Sequence, residues 1–162
     1  MEFEPDRGVH HICTKSGVCH FAVTMEDPSQ RMADLFSALA DAGVSVYLLK
    51  LHPDANVVDF AVDTKDCDRA EQVLKRLNVQ YRLLRDFHLV SLVAAAMRDL
   101  SGVVVRIMTA LNNRGIEIHE LADSYNSVSC LVSPSDLDRA VEALSEEFGV
   151  ALRECPGPLD PW

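Results

Sequence analysis

The sequence has no excess of basic residues. Its 15 Lys and Arg are outnumbered by 25 Asp and Glu, which gives a formal net charge of -10 and a pI near 4.9. Binding to the phosphate backbone of nucleic acid, or to an anionic membrane surface, requires clustered positive charge. The composition therefore argues against a nucleic-acid partner and against a basic membrane-surface helix.

Long apolar runs, grouped glycines and paired cysteines are also missing. No run approaches the roughly 20 apolar residues that cross a bilayer, and the acidic start, MEFEPD, is unlike a secretory signal. The five cysteines are scattered without a C-x-x-C pair, and the seven glycines form no phosphate-binding loop. We expect a soluble cytoplasmic protein without a cofactor, a disulfide framework or a structural zinc site.

Several histidines and cysteines lie close together near the start of the chain. These are His10, His11, Cys13, Cys19 and His20. Their spacing fits no familiar ligand pattern, and strand alternation places His10 and His11 on opposite faces. We therefore predict no metal site. No Ser-His-Asp or Cys-His spacing indicates a catalytic centre either.

What the sequence does contain is an internal repeat. At a spacing of 72, identical residues coincide at Met25/Met97, Asp27/Asp99, Ser29/Ser101, Ala38/Ala110, Leu39/Leu111, Gly43/Gly115 and Leu49/Leu121. Beyond the loop at residues 52–56 the spacing falls to 70, with Asp66/Asp136, Asp68/Asp138, Arg69/Arg139, Ala70/Ala140 and Leu74/Leu144. A length difference confined to a turn is expected of two copies of one fold.

Each copy has the same pattern of strands and helices. The helix period recurs in two predicted core sets: Met32, Leu35, Phe36 and Leu39, then Val104, Ile107, Met108 and Leu111. Strands are predicted at residues 8–14, 18–25, 79–84 and 150–153, among others. The order β-α-β-β-α-β, read twice, predicts an α+β protein of two ferredoxin-like units, each an antiparallel four-stranded sheet with helices on one face. We place these domains at residues 16–86 and 87–154, followed by a tail at 155–162.

Two segments of the second copy carry a family resemblance. VSLVAAAMRDLSGVVVRIMTAL and RGIEIHELADSYNSVSCLVSPSDLDRAVEALSEEFGV resemble the ACT-domain superfamily, and more specifically the carboxy-terminal regulatory region of aspartokinases, which holds two such domains in tandem. The resemblance covers residues 8–149. It implies a regulatory protein without kinase activity. It leaves open whether the domains lie in simple tandem or the strand at 8–14 completes the sheet of the second domain.

The resemblance also implies two sites for a free amino acid such as Lys or Thr, each at the start of a first helix and near a second strand. In the second copy the residues are Asp99, Leu100, Ser101, Gly102, Val103, Ile116, Glu117, Ile118 and His119. In the first copy they are Asp27, Pro28, Ser29, Gln30, Arg31, Ser45, Val46 and Tyr47. A helix start suits a carboxylate because its N–H groups are unpaired and its dipole end is positive.

Structural roles compete with ligand binding at these positions. Asp27 and Asp99 are interpreted first as helix caps, and Glu117 and His119 equally as solvent-exposed or dimer-contact residues. Gln30 stands where the second copy has glycine, which favours an altered first site. Three functions follow: a homodimeric amino-acid sensor, the regulatory subunit of a heteromeric aspartokinase, or a dimerisation module whose sites have decayed. For the regulatory subunit the partner is a catalytic kinase subunit, and for the dimerisation module it is a second copy of the chain.

Overall fold

The computed structural model describes residues 8–94 and 101–154. Within them the helices and strands are β1 (Val9–Thr24), α1 (Pro28–Asp41), β2 (Tyr47–His52), β3 (Val57–Asp63), α2 (Cys67–Arg76), β4 (Gln80–Ala94), α3 (Val103–Asn113), β5 (Glu120–Asp123), β6 (Ser127–Val132) and α4 (Leu137–Phe148). The strand order is β2-β3-β1-β4-β6-β5. The predicted α+β class is confirmed. None of the described helices is long and apolar enough to span a bilayer.

The chain divides into two compact units. The first unit is Gly17–Phe87, and the second unit combines Met1–Ser16 with His88–Trp162. Strands β1 and β4 each contribute to both units. The sequence predicts separate strands at residues 8–14 and 18–25, but β1 continues through Gly17, which has a φ of 70°. Likewise β4 continues through Asp86, which has a φ of 58°.

The first unit is held by one apolar core beneath α1 and α2. Strands β1 and β2 both pair antiparallel with β3. Phe21 of β1 stacks on Phe60 of β3 with ring centroids 5.2 Å apart, and Leu35 and Leu39 of α1 are buried beside them. Helix α1 is followed by Ala42 at its C-terminal cap and then by a left-handed Gly43, with a φ of 71°.

The second unit has an equivalent core beneath α3 and α4. Strands β4 and β5 pair antiparallel with β6, and Ile107 and Leu111 of α3 are buried against them. Ile12 of β1 is fully buried in this same core. Its backbone N–H donates to the carbonyl of Ala151 at 3.0 Å, and Leu152 forms an isolated parallel bridge with Ile12 instead of the strand predicted at 150–153.

An Asp–Arg clamp recurs in both units and accounts for the repeated D-x-D-R-A segment. Arg69 donates to the carboxylate of Asp66 and to the carbonyl of Ala42, the residue that ends α1. Arg139 contacts Asp136 and the carbonyl of Arg114, which ends α3, in the same way. Each arginine therefore ties the end of one helix to the start of the next.

The spacing of 72 residues between the two copies is wrong for their first strands. Phe21 pairs with Phe60, and Val90 pairs with Cys130, so these strands are offset by 69 residues, whereas the equivalent helix positions Leu35 and Ile107 are offset by 72. The second copy thus has three more residues between strand and helix. Apolar spacing shows periodicity within an element but does not reveal such an insertion.

Two further expectations are wrong. Val104 and Met108 were assigned to the core face of α3, yet their exposed fractions are 40% and 44%, because Val103, Ile107 and Leu111 form the buried stripe. Cys13 is disulfide-bonded, whereas the cysteine pattern predicted no disulfide framework. Cys19, Cys67 and Cys130 are free and buried.

Candidate functional site

The start of α1 has a left-handed residue at its cap. Asp27 has a φ of 52°, and its side chain makes no capping hydrogen bond, so the interpretation of Asp27 as a side-chain cap is wrong. Pro28 is the first helical residue, and Ser29 and Gln30 are exposed. Arg31 points toward the second helix of its unit, donating to the carbonyl of Leu77 at 3.3 Å.

The start of α3 is more open. Gly102 occupies the cap position with a φ of 77°, and a Cβ placed there would have no atom of the described residues within 4 Å. Ser101 is exposed, whereas Val103 is buried in the core of the second unit. Asp99 and Leu100 lie outside the described residues. Helix α3 begins at Val103. This is three positions after residue 100, which the repeat spacing of 72 predicts from the start of α1 at Pro28.

The residues predicted to lie on second strands mostly precede them. Ser45 and Val46 come before β2, and Tyr47 is its first residue; residues 116–119 all come before β5. The reason is the way each helix ends. The N–H of Val44 bonds to the carbonyl of Leu39, and that of Ile116 to the carbonyl of Leu111, both at 3.0 Å, so the chain is still attached to the helix at these points.

Only part of this set is accessible to a ligand. Ile116 is 2% exposed and Ile118 packs against the same core. The Glu117 side chain is 79% exposed, and its carboxylate lies 3.9 Å from the Nε2 of His119. The hydroxyl of Tyr47 donates to Asp63 at 3.1 Å, and burial together with the Asp63 carboxylate raises the pKa of Tyr47 well above its usual value. Tyr47 is therefore already engaged within its own unit.

Within each unit the two halves of the predicted site lie at opposite ends. In the first unit, Thr24 and His52 both pair with Val57, so the end of β2 lies near the start of α1. Tyr47 pairs with Ala61, toward the other end of the sheet. Helix α1 has 14 residues and is about 21 Å long, which separates its start from Ser45 by a similar distance.

The second unit repeats this separation. The C-terminal turn of α3 is bonded to Ile116, and the N–H of His119 bonds to the carbonyl of Leu131 at 2.9 Å. Helix α3 has 11 residues, or about 16 Å, between that end and Gly102. A ligand at either helix start therefore cannot touch the strand-side residues of the same unit.

A different group of polar residues lies at the helix-start end of the first unit. The Nε2 of His52, on β2, is 2.8 Å from the carboxylate of Asp59 on β3, and Asp59 is only 9% exposed. The N–H of Met25 bonds to the carbonyl of Asn56 in the adjoining turn. The sequence shows this region only as a loop with two additional residues, and it gives no sign that His52 and Asp59 meet.

Strand β2 is an edge of the sheet, and its backbone is strained. Leu48 has a φ of 51°, which an L-residue with a bulky side chain rarely adopts, and the pairing with β3 shifts between Tyr47 and Lys50. Leu49 and Leu51 are each 49% exposed. An exposed apolar edge strand presents unpaired N–H and C=O groups with which a strand of another chain can pair.

Comparison with known proteins identifies this fold. Residues 83–146 match the ACT domain family. This segment of the chain is similar to an ACT domain. It is 35% identical to an aspartokinase of Mycobacterium bovis over 154 residues, which are 88% of this chain and 36% of that protein. The chain spans about a third of the length of the curated relatives it matches.

Solved structures agree on the fold. The regulatory subunit of aspartate kinase from Thermus flavus superposes with a TM-score of 0.80 over 88% of this chain and 99% of that chain, at 19% identity. Aspartokinase III of E. coli in complex with lysine and aspartate gives a TM-score of 0.71 over 91% of this chain and 34% of that chain, at 15% identity. The resemblance of this chain to the aspartokinase regulatory region is confirmed.

Proposed function

We propose that this ACT-domain chain is a non-catalytic regulatory module that binds a free amino acid at a site shared between two paired copies. The observation that carries the proposal is the separation of the two halves of the site, about 16 to 21 Å along α3 and α1. Neither unit completes the site alone. Pairing two copies supplies the missing half.

The edge strand β2 supports antiparallel pairing as the way to complete the first site. In an antiparallel pair, the His52 end of one β2 lies beside the Tyr47 end of the other. The start of α1, near His52, then approaches Ser45 and Val46 of the partner copy. Such pairing also covers Leu49 and Leu51, which are half exposed in the single chain. The homodimer is thus part of the same proposal.

The chemistry of a helix start determines the class of ligand. Free N–H groups and a positive dipole end bind a carboxylate, and a carbonyl or carboxylate of the partner copy then holds the ammonium group. At α3 the cap is Gly102, which leaves open space for that carboxylate, whereas at α1 Asp27 already places a negative charge nearby. We therefore favour the second helix start as the effector site, which pairing at β5, the other edge strand of the sheet, completes in the same way. Lysine, with which the E. coli relative was crystallised, and threonine are the first candidates.

Thermal unfolding with a panel of amino acids tests the binding. A ligand at 100 times its dissociation constant adds about 2.7 kcal/mol of stability. We expect Gly102→Asn to abolish that gain, because asparagine tolerates the left-handed backbone but fills the open space. Gly43→Asn is the matched control: Gly43 also has a left-handed φ, of 71°, but lies at the end of α1 in the first unit. If no amino acid in the panel changed the melting temperature of the wild type, the sensor would be excluded in favour of the dimerisation module whose sites have decayed.

Light scattering tests the pairing separately. Leu49→Lys with Leu51→Lys places two charges on the β2 edge and should convert a dimer to a monomer. Val105→Lys, at an apolar residue of α3 that is 66% exposed, should not. A wild-type monomer at micromolar concentration would remove the shared-site geometry from the proposal.

The regulatory subunit of a heteromeric aspartokinase is a second candidate, favoured by one comparison. The Thermus flavus regulatory subunit is matched over 99% of its own chain, so a stand-alone protein of this extent exists among the structural relatives. This candidate predicts that the chain co-purifies from its native extract with a kinase subunit. Recovery of the chain only with copies of itself would contradict it.

A further inference from the structure

One cysteine near the start of the chain takes part in a disulfide. Cys13 lies in β1, is 6% exposed and is disulfide-bonded, whereas Cys19, Cys67 and Cys130 are free and buried. The sequence has five cysteines, and the fifth is Cys155. Because the other three are free, Cys155 is the residue of this chain that can be the partner of Cys13.

The hydrogen bonds beside Cys13 bring the end of the chain within its reach. The N–H of Arg153 donates to the carbonyl of Ile12 at 2.8 Å, and the N–H of Ile12 donates to the carbonyl of Ala151 at 3.0 Å. Cys155 lies outside the described residues, but it follows Arg153 by two peptide units, which span at most about 7 Å. Cys13 follows Ile12 directly. Chain geometry therefore allows the roughly 4.4 to 6.8 Å between Cα atoms that a disulfide requires.

We propose that Cys13 and Cys155 form a disulfide clasp that holds the C-terminal segment of the second unit on β1, and that a dithiol reductant opens this clasp. Both cysteines belong to the second unit. The pairing of that segment with β1 is short, since Ile12 and Leu152 form an isolated bridge. The clasp also closes a loop of nearly the whole chain. Restricting such a loop in the unfolded state stabilises the folded state.

A cavity gives the reductant access to the clasp. It has a volume of about 450 Å³ and is lined by Thr14, Leu152, Arg153 and Glu154. Thr14 follows Cys13 in the sequence and Glu154 precedes Cys155, so the cavity borders the sequence neighbours of both cysteines. Leu152 is 51% exposed, and Arg153 and Glu154 are also exposed, so this segment is open to solvent although Cys13 is buried.

Reduction of the clasp is a thiol–disulfide exchange. A thiolate of the dithiol attacks one sulfur of the clasp, the S–S bond breaks, and a mixed disulfide forms while the other cysteine leaves as a thiolate. The second thiol of the reductant loses its proton and attacks the reductant's own sulfur in the mixed disulfide, which releases the second cysteine. The two protons lost by the reductant convert both cysteine thiolates to thiols. The clasp gains two electrons, and the reductant is oxidised to a cyclic disulfide.

Peptide mapping of the full chain tests the pairing. One sample is equilibrated with oxidised glutathione and another with dithiothreitol; free thiols are then alkylated in denaturant, and the protein is cut with trypsin. Cys13 falls in residues 8–15 and Cys155 in 154–162, whereas the other three cysteines fall in separate peptides. We expect 8–15 linked to 154–162 in the oxidised sample and both peptides alkylated in the reduced sample. A 154–162 peptide that carries an alkyl group or glutathione in the oxidised sample, or a covalent dimer, would overturn the pairing.

Thermal unfolding tests the stabilisation. The oxidised wild type should melt roughly 5 to 15 °C above the reduced form. Cys155→Ala should melt close to the reduced wild type under both conditions, because it cannot form the clasp. Cys130→Ala is the control, since it removes a free cysteine of the second unit and should retain the difference between the two conditions. Equal melting of the oxidised and reduced wild type, or a Cys155→Ala variant that still responds to dithiothreitol, would overturn the clasp.

Hydrogen exchange locates the effect of opening. The N–H groups of Ile12 and Arg153 make the hydrogen bonds between β1 and the C-terminal segment, so reduction should speed their exchange. Exchange in β3, which lies in the first unit, should stay unchanged. Unchanged exchange at Ile12 and Arg153 after reduction would show that the disulfide does not hold this segment on β1.

Discussion

Arg69 and Arg139 make the same two contacts in the two copies of the repeat, but the acids they bind differ in burial. The Asp66 side chain is 7% exposed, whereas that of Asp136 is 18% exposed and also accepts a hydrogen bond from Ser133 at 3.0 Å. Removing Arg69 leaves a buried carboxylate without its cation and the end of α1 without a donor. Each of these two losses lowers the free energy of unfolding by more than the loss of an exposed ion pair does.

We therefore predict that Arg69→Ala lowers the free energy of unfolding by about 1 to 3 kcal/mol, and that Arg139→Ala lowers it by less. Urea denaturation measures both. Arg76→Ala is a suitable control, since Arg76 is exposed at the end of α2. Equal effects of Arg69→Ala and Arg139→Ala would show that the burial of the acid does not set the size of the loss.

The titration of Glu71 couples stability to pH. A hydrogen bond from Tyr81 at 2.7 Å, assisted by Lys75 and Arg85, holds the pKa of Glu71 below its usual value. Because the pKa is lower in the folded state, the stabilisation is fully present above the unfolded pKa near 4.5 and is lost as the pH falls through the folded-state pKa. Burial, followed by the hydrogen bond with Glu71, raises the pKa of Tyr81 to about 12.

We predict that Glu71→Gln destabilises the protein at pH 7 and that the difference from wild type shrinks as the pH falls below 4.5. Urea unfolding from pH 7 to pH 3 measures the difference. Asp68→Asn is the control, since Asp68 binds the same Arg85 but has a side chain that is 83% exposed. A constant gap between wild type and Glu71→Gln across this range would contradict the coupling.

At the level of elements, sequence periodicity identifies the helices and the internal repeat, because each helix buries one stripe and each copy uses the same stripe. The period does not identify which residues form the buried stripe. Val104 and Met108 fit the period as well as Val103 does, and only the packing of α3 on its sheet decides between them. The separation of the predicted site residues could not be foreseen for a related reason. Spacing along the chain shows that Ser45 follows α1, but it does not show that Ser45 lies far from the start of α1.

The face of α3 gives a direct test at this level. We predict that Ile107→Ala, at a fully buried residue, lowers the free energy of unfolding by about 2 to 5 kcal/mol. Val105→Ala, at a residue that is 66% exposed, should change it by less than about 0.5 kcal/mol. Urea denaturation of both variants suffices. A large loss for Val105→Ala in the monomeric state would show that the exposed stripe is covered within the chain.

At the level of the whole molecule, the start of the chain contributes to the core formed by its end. Ile12 precedes every residue of the first unit, yet it is fully buried with Val90, Leu92 and Ile107 in the second. Its carbonyl accepts a hydrogen bond from the N–H of Arg153 at 2.8 Å. The second unit is therefore complete only when both ends of the chain have folded together.

This arrangement predicts where the loss of one side chain is felt. Ile12→Ala should lower the free energy of unfolding by about 2 to 5 kcal/mol and reduce amide protection mainly in β6 and α4, which share its core. Phe21→Ala, in the core of the first unit, should instead reduce protection mainly in β3 and α2. Hydrogen exchange followed by peptide mass measurement separates these segments. The loss of a buried side chain weakens first the core that the side chain fills. Equal loss of amide protection in β3 and α2 and in β6 and α4 for Ile12→Ala would therefore show that Ile12 does not stabilise the second unit specifically.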